Sequence, residues 1–426
     1  MILDLFREIT SIPRCSGTYQ PFIDFIKNFA LEYDYICKID DANNILCYKQ
    51  NSIPNICLQS HYDIVCLEDN TIPQIIEEDG YLKAINSTLG ADNGIGCAYM
   101  LALMSEHTNC EFLFTCDEEI GLIGANNIQF TLQSKNMLNL DSEEQGHICI
   151  GCAGGIDIFA INKNSQLKPN NDNLTLYEII VDGLDGGHSG VDIDKNIPNA
   201  IKLLAKTIKE NNCKVLDIQG GQRINSIPKS AKAIVVAPKE PIVNHSNITI
   251  NKIDTLTNHY KELDFKIIDF LYSFSNGVRG YDVELGVVSS SINLAIIETN
   301  IDNINIQLSA RSMGNDELEL LVNETIVMLE HFGFEVSTSG KYPAWKPQQN
   351  DFINKVLKIY KKYIPTASLE AIHAGLECAV FKDKYPSINI ASIGPNIYFP
   401  HSYNEKCEIS SIYKVYDIIK EIIKVE

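Results

Sequence analysis

NICLQSHYD, residues 55–63, is a short apolar run that breaks off into a histidine and an aspartate. EFLFTCDEE at 111–119 and MLNLD at 137–141 repeat the arrangement, each an apolar run ending in carboxylates. Continuous apolar runs of this length, bounded by polar turns, read as strands buried on both faces; Asn55 to Ser60, Glu111 to Thr115 and Met137 to Leu140 are such strands. Between them, Gly94 to Met104 has helical spacing, as do Ile2 to Ile12 and Tyr19 to Tyr33 upstream, while Ile45 to Lys49 adds another strand. Strands alternating with helices predict an α/β domain built on a mainly parallel sheet.

Outward from this core the texture changes. From 154 to 341, Leu174 to Val181, Ala231 to Val236, Val287 to Thr299 and Asn305 to Ala310 read as longer strands, with helices over Pro198 to Lys209 and Asp316 to His331. This pattern predicts an inserted α+β domain. Residues 342–426 return to short apolar runs, Ser387 to Ile393 among them, and a closing helix from Ser411. The expected organisation is therefore a first domain in two parts, 1–153 and 342–426, around an insertion at 154–341. A chain of 426 residues has the length for two cores.

Thirty-five basic against 55 acidic side chains give a formal charge of -20, which disfavours nucleic acid and anionic membrane surfaces. Met1 to Arg7 reads as the start of an amphipathic helix rather than a secretory signal, and no apolar run reaches the ~18 residues of a membrane span. The 13 cysteines, scattered through apolar stretches, read as reduced thiols, and the expected location is the cytoplasm.

The chemistry sits where the strands end. His61 and Asp63, two apart on extended backbone, point the same way, so Asp63 can orient the ring of a metal-bound His61. Asp92, on the glycine turn Gly90-Ala91-Asp92-Asn93-Gly94 before a helix, can bridge two cations, although an aspartate there is equally suited to capping the helix. Of the adjacent pair Glu118 and Glu119, one can bind metal while the other takes a proton. Asp141 supplies another carboxylate at a fourth strand or helix junction. In open α/β sheets ligands gather at the carboxyl ends of strands, so the recurrence outweighs any single motif.

Other features read as structural. Cys149 and Cys152 have CxxC spacing without a second pair, and glycine-rich 183–190 lacks the order of a dinucleotide fingerprint. His107, His147, His245, His259 and His331 show no acidic partner at a strand end.

Ser60-His61-Tyr62-Asp63, Gly90 to Gly96, Asp117-Glu118-Glu119 and Leu140 to Glu144 resemble the aminoacyl-histidine dipeptidases, or cytosol non-specific dipeptidases, grouped with the carnosinases and aminoacylases. The resemblance continues through Gly151 to Gly155, Gly186 to Gly190, Tyr342 to Pro347, His373 to Cys378 and Pro400-His401-Ser402, nearly the whole chain in order. It implies two divalent metal ions, zinc with cobalt or manganese as substitutes. His61, Asp92 and Asp141 would hold one, and Asp92, Glu119 and His401 the other. Glu118 would be the general base, Asp63 would orient His61, and His188, Asn225, Arg311 and His373 would bind the substrate. Glu377 matches a motif whose role the resemblance leaves open.

The implied activity is hydrolysis of dipeptides with free termini, Xaa-His among them, by a homodimer paired through a lid domain. A related deacylase or aminopeptidase acting on N-acyl amino acids or longer peptides is the alternative, and a binding protein that kept the fold is the rival of another class. Three departures stand out: Tyr62 replaces the usual aliphatic residue, the loop Val191 to Lys195 lacks a histidine common near Asp194, and the chain is shorter than many relatives.

Overall fold

A computed structural model describes residues 1–67, 72–163, 166–167, 175–253, 262–300 and 302–424. The chain divides into two compact units: Met1–Gly151 with Trp345–Ala371 and Leu376–Glu426 form the first, and Cys152–Ala344 with Ile372–Gly375 form the second.

The first unit is built on an eight-stranded sheet in the order Ile36–Ile39, Ile45–Tyr48, Glu111–Thr115, Ile56–His61, Asn136–Asn139, Asn389–Ser392, His147–Cys152, Ser368–Ile372. The four strands from Glu111–Thr115 to Asn389–Ser392 are mutually parallel and almost wholly buried. Toward the edges the pairing turns antiparallel. The cause at one edge is local: only residues 40–44 join Ile36–Ile39 to Ile45–Tyr48, a link that closes a hairpin but is too short for a parallel crossover.

The helix Ala91–Ser105 is buried at 13 of its 15 positions, which explains its nearly unbroken apolar composition. Asp92 and Asn93 depart from helical dihedrals, and the peptide between them is cis, so the regular helix begins at Gly94. The helices Ile2–Thr10, Gln20–Glu32, Asp351–Tyr363 and Ile409–Ile422 bury their apolar stripes in the same core. Tyr62 lies flat on Phe22, with ring centroids 4.6 Å apart, and its hydroxyl donates to the carbonyl of Asn43 at 3.1 Å. An aromatic ring rather than an aliphatic side chain thus fills this part of the core.

Reduced thiols throughout were expected, but Cys15 and Cys66 are joined in a disulfide. Segments 14–15 and 64 run side by side, with a bridge between Cys15 and Ile64 and a bond from the Ile64 N–H to the Arg14 carbonyl, which brings the two Cα atoms to 5.6 Å. The other eleven cysteines form no disulfide, and ten of them are buried.

The second unit has a nine-stranded sheet whose pairings are antiparallel, including the long strands Val287–Thr299 and Ile304–Ser312 and the strand Gly154–Asn162. Ala200–Glu210 and Asn315–His331 cover it, joined by a third helix, Phe265–Ser273, that the sequence reading missed. That helix carries a legible signal, with Asp264 as side-chain N-cap and buried Ile267, Ile268, Phe270 and Leu271 at helical spacing. Among the described residues, no helix is long and apolar enough to cross a membrane.

Candidate metal centre

In the parallel part of the sheet, register places His61 beside Thr115 and Gln59 beside Asn139. The chain leaving each strand therefore delivers its polar residues to one edge: His61 itself, Glu118 and Glu119 three and four residues beyond Thr115, and Asp141 two beyond Asn139. Asp92 joins them at the start of its helix, and His401 comes from the loop after Ile397–Tyr398.

His61 Nε2 lies 3.1 Å from Asp92 Oδ1 and 3.2 Å from Asp141 Oδ1. His401 Nε2 lies 2.9 Å from Asp92 Oδ2 and 3.0 Å from Glu119 Oε2. The two oxygens of Asp92 thus face two different imidazoles. Potential ligand atoms of His61, Asp92 and Asp141 all fall within 4.8 Å of one another, as do those of Asp92, Glu119 and His401, and those of His61, Glu118 and Glu119. His401 is about half exposed, whereas His61, Glu119 and Asp141 are buried or nearly so.

The other face of His61 is fixed by Asp63. Nδ1 approaches the Asp63 backbone oxygen at 3.0 Å and its carboxylate at 3.5 Å. The same carboxylate accepts the Ser16 hydroxyl at 2.7 Å and the backbone N–H groups of Glu118 and Glu119 at 3.1 and 3.4 Å. Asp63 therefore ties the His61 strand end to the Glu118 turn. Burial works to raise its pKa, but His61, Ser16 and the Glu118 amide hold it below the usual range.

Electrostatics in the cluster reflect crowding. Burial, reinforced by Glu119, Asp141 and Glu377, pushes the Glu118 carboxyl well up. Burial and Asp92 raise Glu119 to about 7, and burial raises Asp141 to about 6. Asp92 resists burial because His401 and His61 donate to it, and it stays well below the ordinary range. Four carboxyl groups around two imidazoles, with Glu119 Oε1 buried and unpaired among the described residues, form a hard, oxygen-rich and negative donor set. Such a set fits divalent cations bound by nitrogen and oxygen.

A polar layer lies beneath the site. Glu377 Oε2 accepts from Gln59 Nε2 at 2.6 Å and Thr115 Oγ1 at 2.8 Å. Asn139 donates to Gln59 and, through Oδ1, accepts the Asp141 amide at 3.2 Å and the Ser392 hydroxyl. Gln59 lies two residues before His61 on one strand and so shares its side, while Asn139 ends its own strand two residues before Asp141 and accepts the Asp141 amide. A polar residue at that offset inside an apolar strand is the signal the sequence reading passed over.

His188, Asn225, Arg311 and His373 belong to the second unit. There, Gly187–His188 pairs with Ser226–Ile227, and the Ser189 N–H donates to the Asn225 carbonyl at 2.8 Å. Arg311 Nη1 donates to the Tyr342 hydroxyl at 2.7 Å, while His373 Nε2 lies 2.7 Å from Ser291 Oγ. In the loop after His188, Asp192 accepts the His188 N–H and the Lys195 ammonium.

His147 does have acidic partners: Glu370 at 2.8 Å, because Ser368–Ile372 lies beside its own strand, and Glu144, three residues before it, at 3.5 Å. His259 lies outside the described residues.

Residues 57–425 match the model of peptidase family M20/M25/M40. The chain belongs to this family. Among M20/M25/M40 relatives, it is 32% identical to the cytosol non-specific dipeptidase of Escherichia coli (strain K12), with 99% of this chain and 96% of that protein covered. It is similar to the crystal structure of aminoacylhistidine dipeptidase from Vibrio alginolyticus, with a TM-score of 0.80 and 27% identity over 99% and 96% of the two chains. The aminopeptidase PepT from Bacillus cereus shares the fold, with a TM-score of 0.61 at 16% identity over 99% and 97%.

Proposed function

We propose that this chain is a metal-dependent dipeptidase that cleaves short peptides with free termini, Xaa-His and other dipeptides among them. The observation that carries the reading is Asp92, whose oxygens address two separate His-carboxylate sets. His61, Asp92 and Asp141 are the assigned holders of one cation, and Asp92, Glu119 and His401 of the other. Zinc is the expected occupant, with cobalt or manganese able to substitute. Two such cations supply Lewis acidity to a scissile carbonyl and lower the pKa of the attacking water.

The chain's own residues do the rest. Glu118 belongs to none of the ligands assigned to either cation, its carboxyl is raised by burial, and its backbone is held by Asp63. It is suited to take the proton of the attacking water and return it to the leaving amine. Asp63 presents the acceptor that keeps His61 Nε2 turned toward Asp92 and Asp141. Arg311 is assigned to the substrate carboxylate, which its planar guanidinium matches in bidentate fashion. His188, Asn225 and His373 are assigned to the peptide on the strength of the resemblance. A cytoplasmic homodimer paired through the second unit completes the reading, and a monomeric mass in solution would remove that last part.

The substrate class draws support from the near full-length relative named a dipeptidase. The test is a panel of Xaa-His, β-alanyl-histidine and ordinary dipeptides beside tripeptides and N-acetyl amino acids, before and after chelation and with zinc, cobalt or manganese restored. Metal-dependent cleavage confined to unblocked dipeptides is expected. Cleavage of only N-acyl amino acids or longer peptides would keep the metal centre and overturn the substrate.

A further inference from the structure

Two side chains outside the donor set grip the turn that carries Asp92. Glu405, only 3% exposed, lies four residues beyond His401. Its carboxylate accepts the backbone N–H groups of Leu89 at 2.8 Å, Gly90 at 3.1 Å, Ala91 at 2.8 Å and Asp92 at 3.4 Å. These amides lead into a helix, where donors lack intrahelical partners and the dipole favours negative charge. A carboxylate from more than 300 residues away takes all four.

Arg14, 1% exposed, holds the carbonyl side. Nη1 donates to Tyr62 O at 3.0 Å and Nη2 to Gly90 O at 2.8 Å. Because Tyr62 lies between His61 and Asp63, one guanidinium fork joins the His61 strand end to the Asp92 turn. Glycines make the approach possible: Gly90 has a φ of 66°, and a Cβ at Gly94 would stand 2.5 Å from Arg14 Nη2.

We infer that Arg14 and Glu405 are positioning residues that clamp the Asp92 turn between the His61 and His401 segments and so set the spacing of the two cation positions. Arg14 ties Asp92 to the His61 side. Glu405 ties it to the His401 side through the three-residue link 402–404 and its own backbone. The inference rests on the two-cation reading of the centre, and neither residue touches the reacting atoms.

The test compares Glu405→Gln and Arg14→Lys with the unaltered enzyme. Gln keeps the shape but offers one acceptor oxygen to four amides, and Lys keeps the charge but has no planar fork to span two carbonyls. Three measurements are made: hydrogen exchange of amides 89–92 in metal-free protein, zinc retained per chain against graded chelator, and steady-state kinetics for a dipeptide, giving kcat and KM. For each variant, tenfold to a hundredfold weaker retention of the second zinc and a comparable fall in kcat are expected, the range typical for groups that orient ligands. KM should change little, and exchange at 89–92 should accelerate while the core of Ala91–Ser105 beyond its first turn stays protected.

Unchanged exchange and unchanged zinc retention in both variants would overturn the clamp. Uniformly faster exchange through the whole first unit would also overturn it, by reducing both residues to general stability. If the unaltered protein holds fewer than two zinc ions, the two-cation reading falls, and the exchange of amides 89–92 still decides whether the clamp exists.

Discussion

Replacing Glu377 by Gln should flatten the pH dependence of stability in the first unit. Glu377 has no solvent exposure, two donors on Oε2 and a buried Oε1 with no partner among the described residues. Burial, with Asp141 adding to it and His61 opposing it, pushes the carboxyl up to about 8 from an ordinary value of 4.5. The folded state therefore binds a proton more tightly than the unfolded chain between those values. The associated stability is fully present below the unfolded pKa and is lost as pH rises toward 8. The limiting slope is about 1.4 kcal/mol per pH unit, so raising the pH from ~5.5 to ~7.5 should cost the metal-free protein roughly 2 to 3 kcal/mol through this residue.

Gln fills the same volume, can accept from Gln59 and Thr115 through its oxygen, and does not titrate. Trp345 is the only tryptophan, is buried, and belongs to the first unit, so its fluorescence follows the unfolding of that unit in urea. Carboxyls common to both proteins, Glu118, Glu119 and Asp141 among them, drop out to first order when variant and parent are compared at both pH values. The expected result is a variant that gains about 2 kcal/mol on its parent between the lower and the higher pH. An equal difference between the two proteins at both values would refute the buried, proton-holding Glu377.

Glu118→Gln should retain both metals, measured as zinc per chain, while kcat falls by about 10² to 10⁴, the usual worth of a positioned proton carrier; a near-normal rate would remove it from the mechanism. Asp63→Asn should slow turnover and weaken metal retention about tenfold or more, since the group that orients His61 and the Glu118 turn loses its charge, and competition with a chelator reads this directly. Alkylation of the denatured, unreduced chain should label eleven of its 13 cysteines, rising to all of them after reduction, with Cys15 and Cys66 the protected pair in a peptide map; labelling of all thirteen without reduction would contradict the pairing.

The parts of this protein that were legible in the sequence share one physical property, which is that their information is local. An apolar run of five or six residues followed by a charged group announces a buried strand with its end at a site, and Glu111–Thr115 and Val287–Thr299 fall at the boundaries read from the chain. The antiparallel edges escaped because pairing direction depends on connection length rather than on the strand's own residues. Cys15 and Cys66 escaped because their approach is created by the parallel run of two segments about fifty residues apart. His401 was placed only by resemblance, since Pro400-His401-Ser402 carries no strand or helix signal of its own.

Glu405 marks the limit of such reading. Its partners are four backbone amides, which every sequence contains, so no choice of side chain near Asp92 could point to it. Gln59, Thr115 and Asn139 stand in between. Each is a polar residue fully buried in a strand of the sheet, and burying it without partners would cost a few kcal/mol. That cost makes the residue informative: a polar group kept in a buried strand implies partners, and these three share a network with Glu377 and Ser392 directly behind the candidate ligands. The site could have been traced one layer deeper by asking what each out-of-place polar side chain must be bonded to. The same question, asked of backbone amides at a helix entrance, requires the fold to be known first.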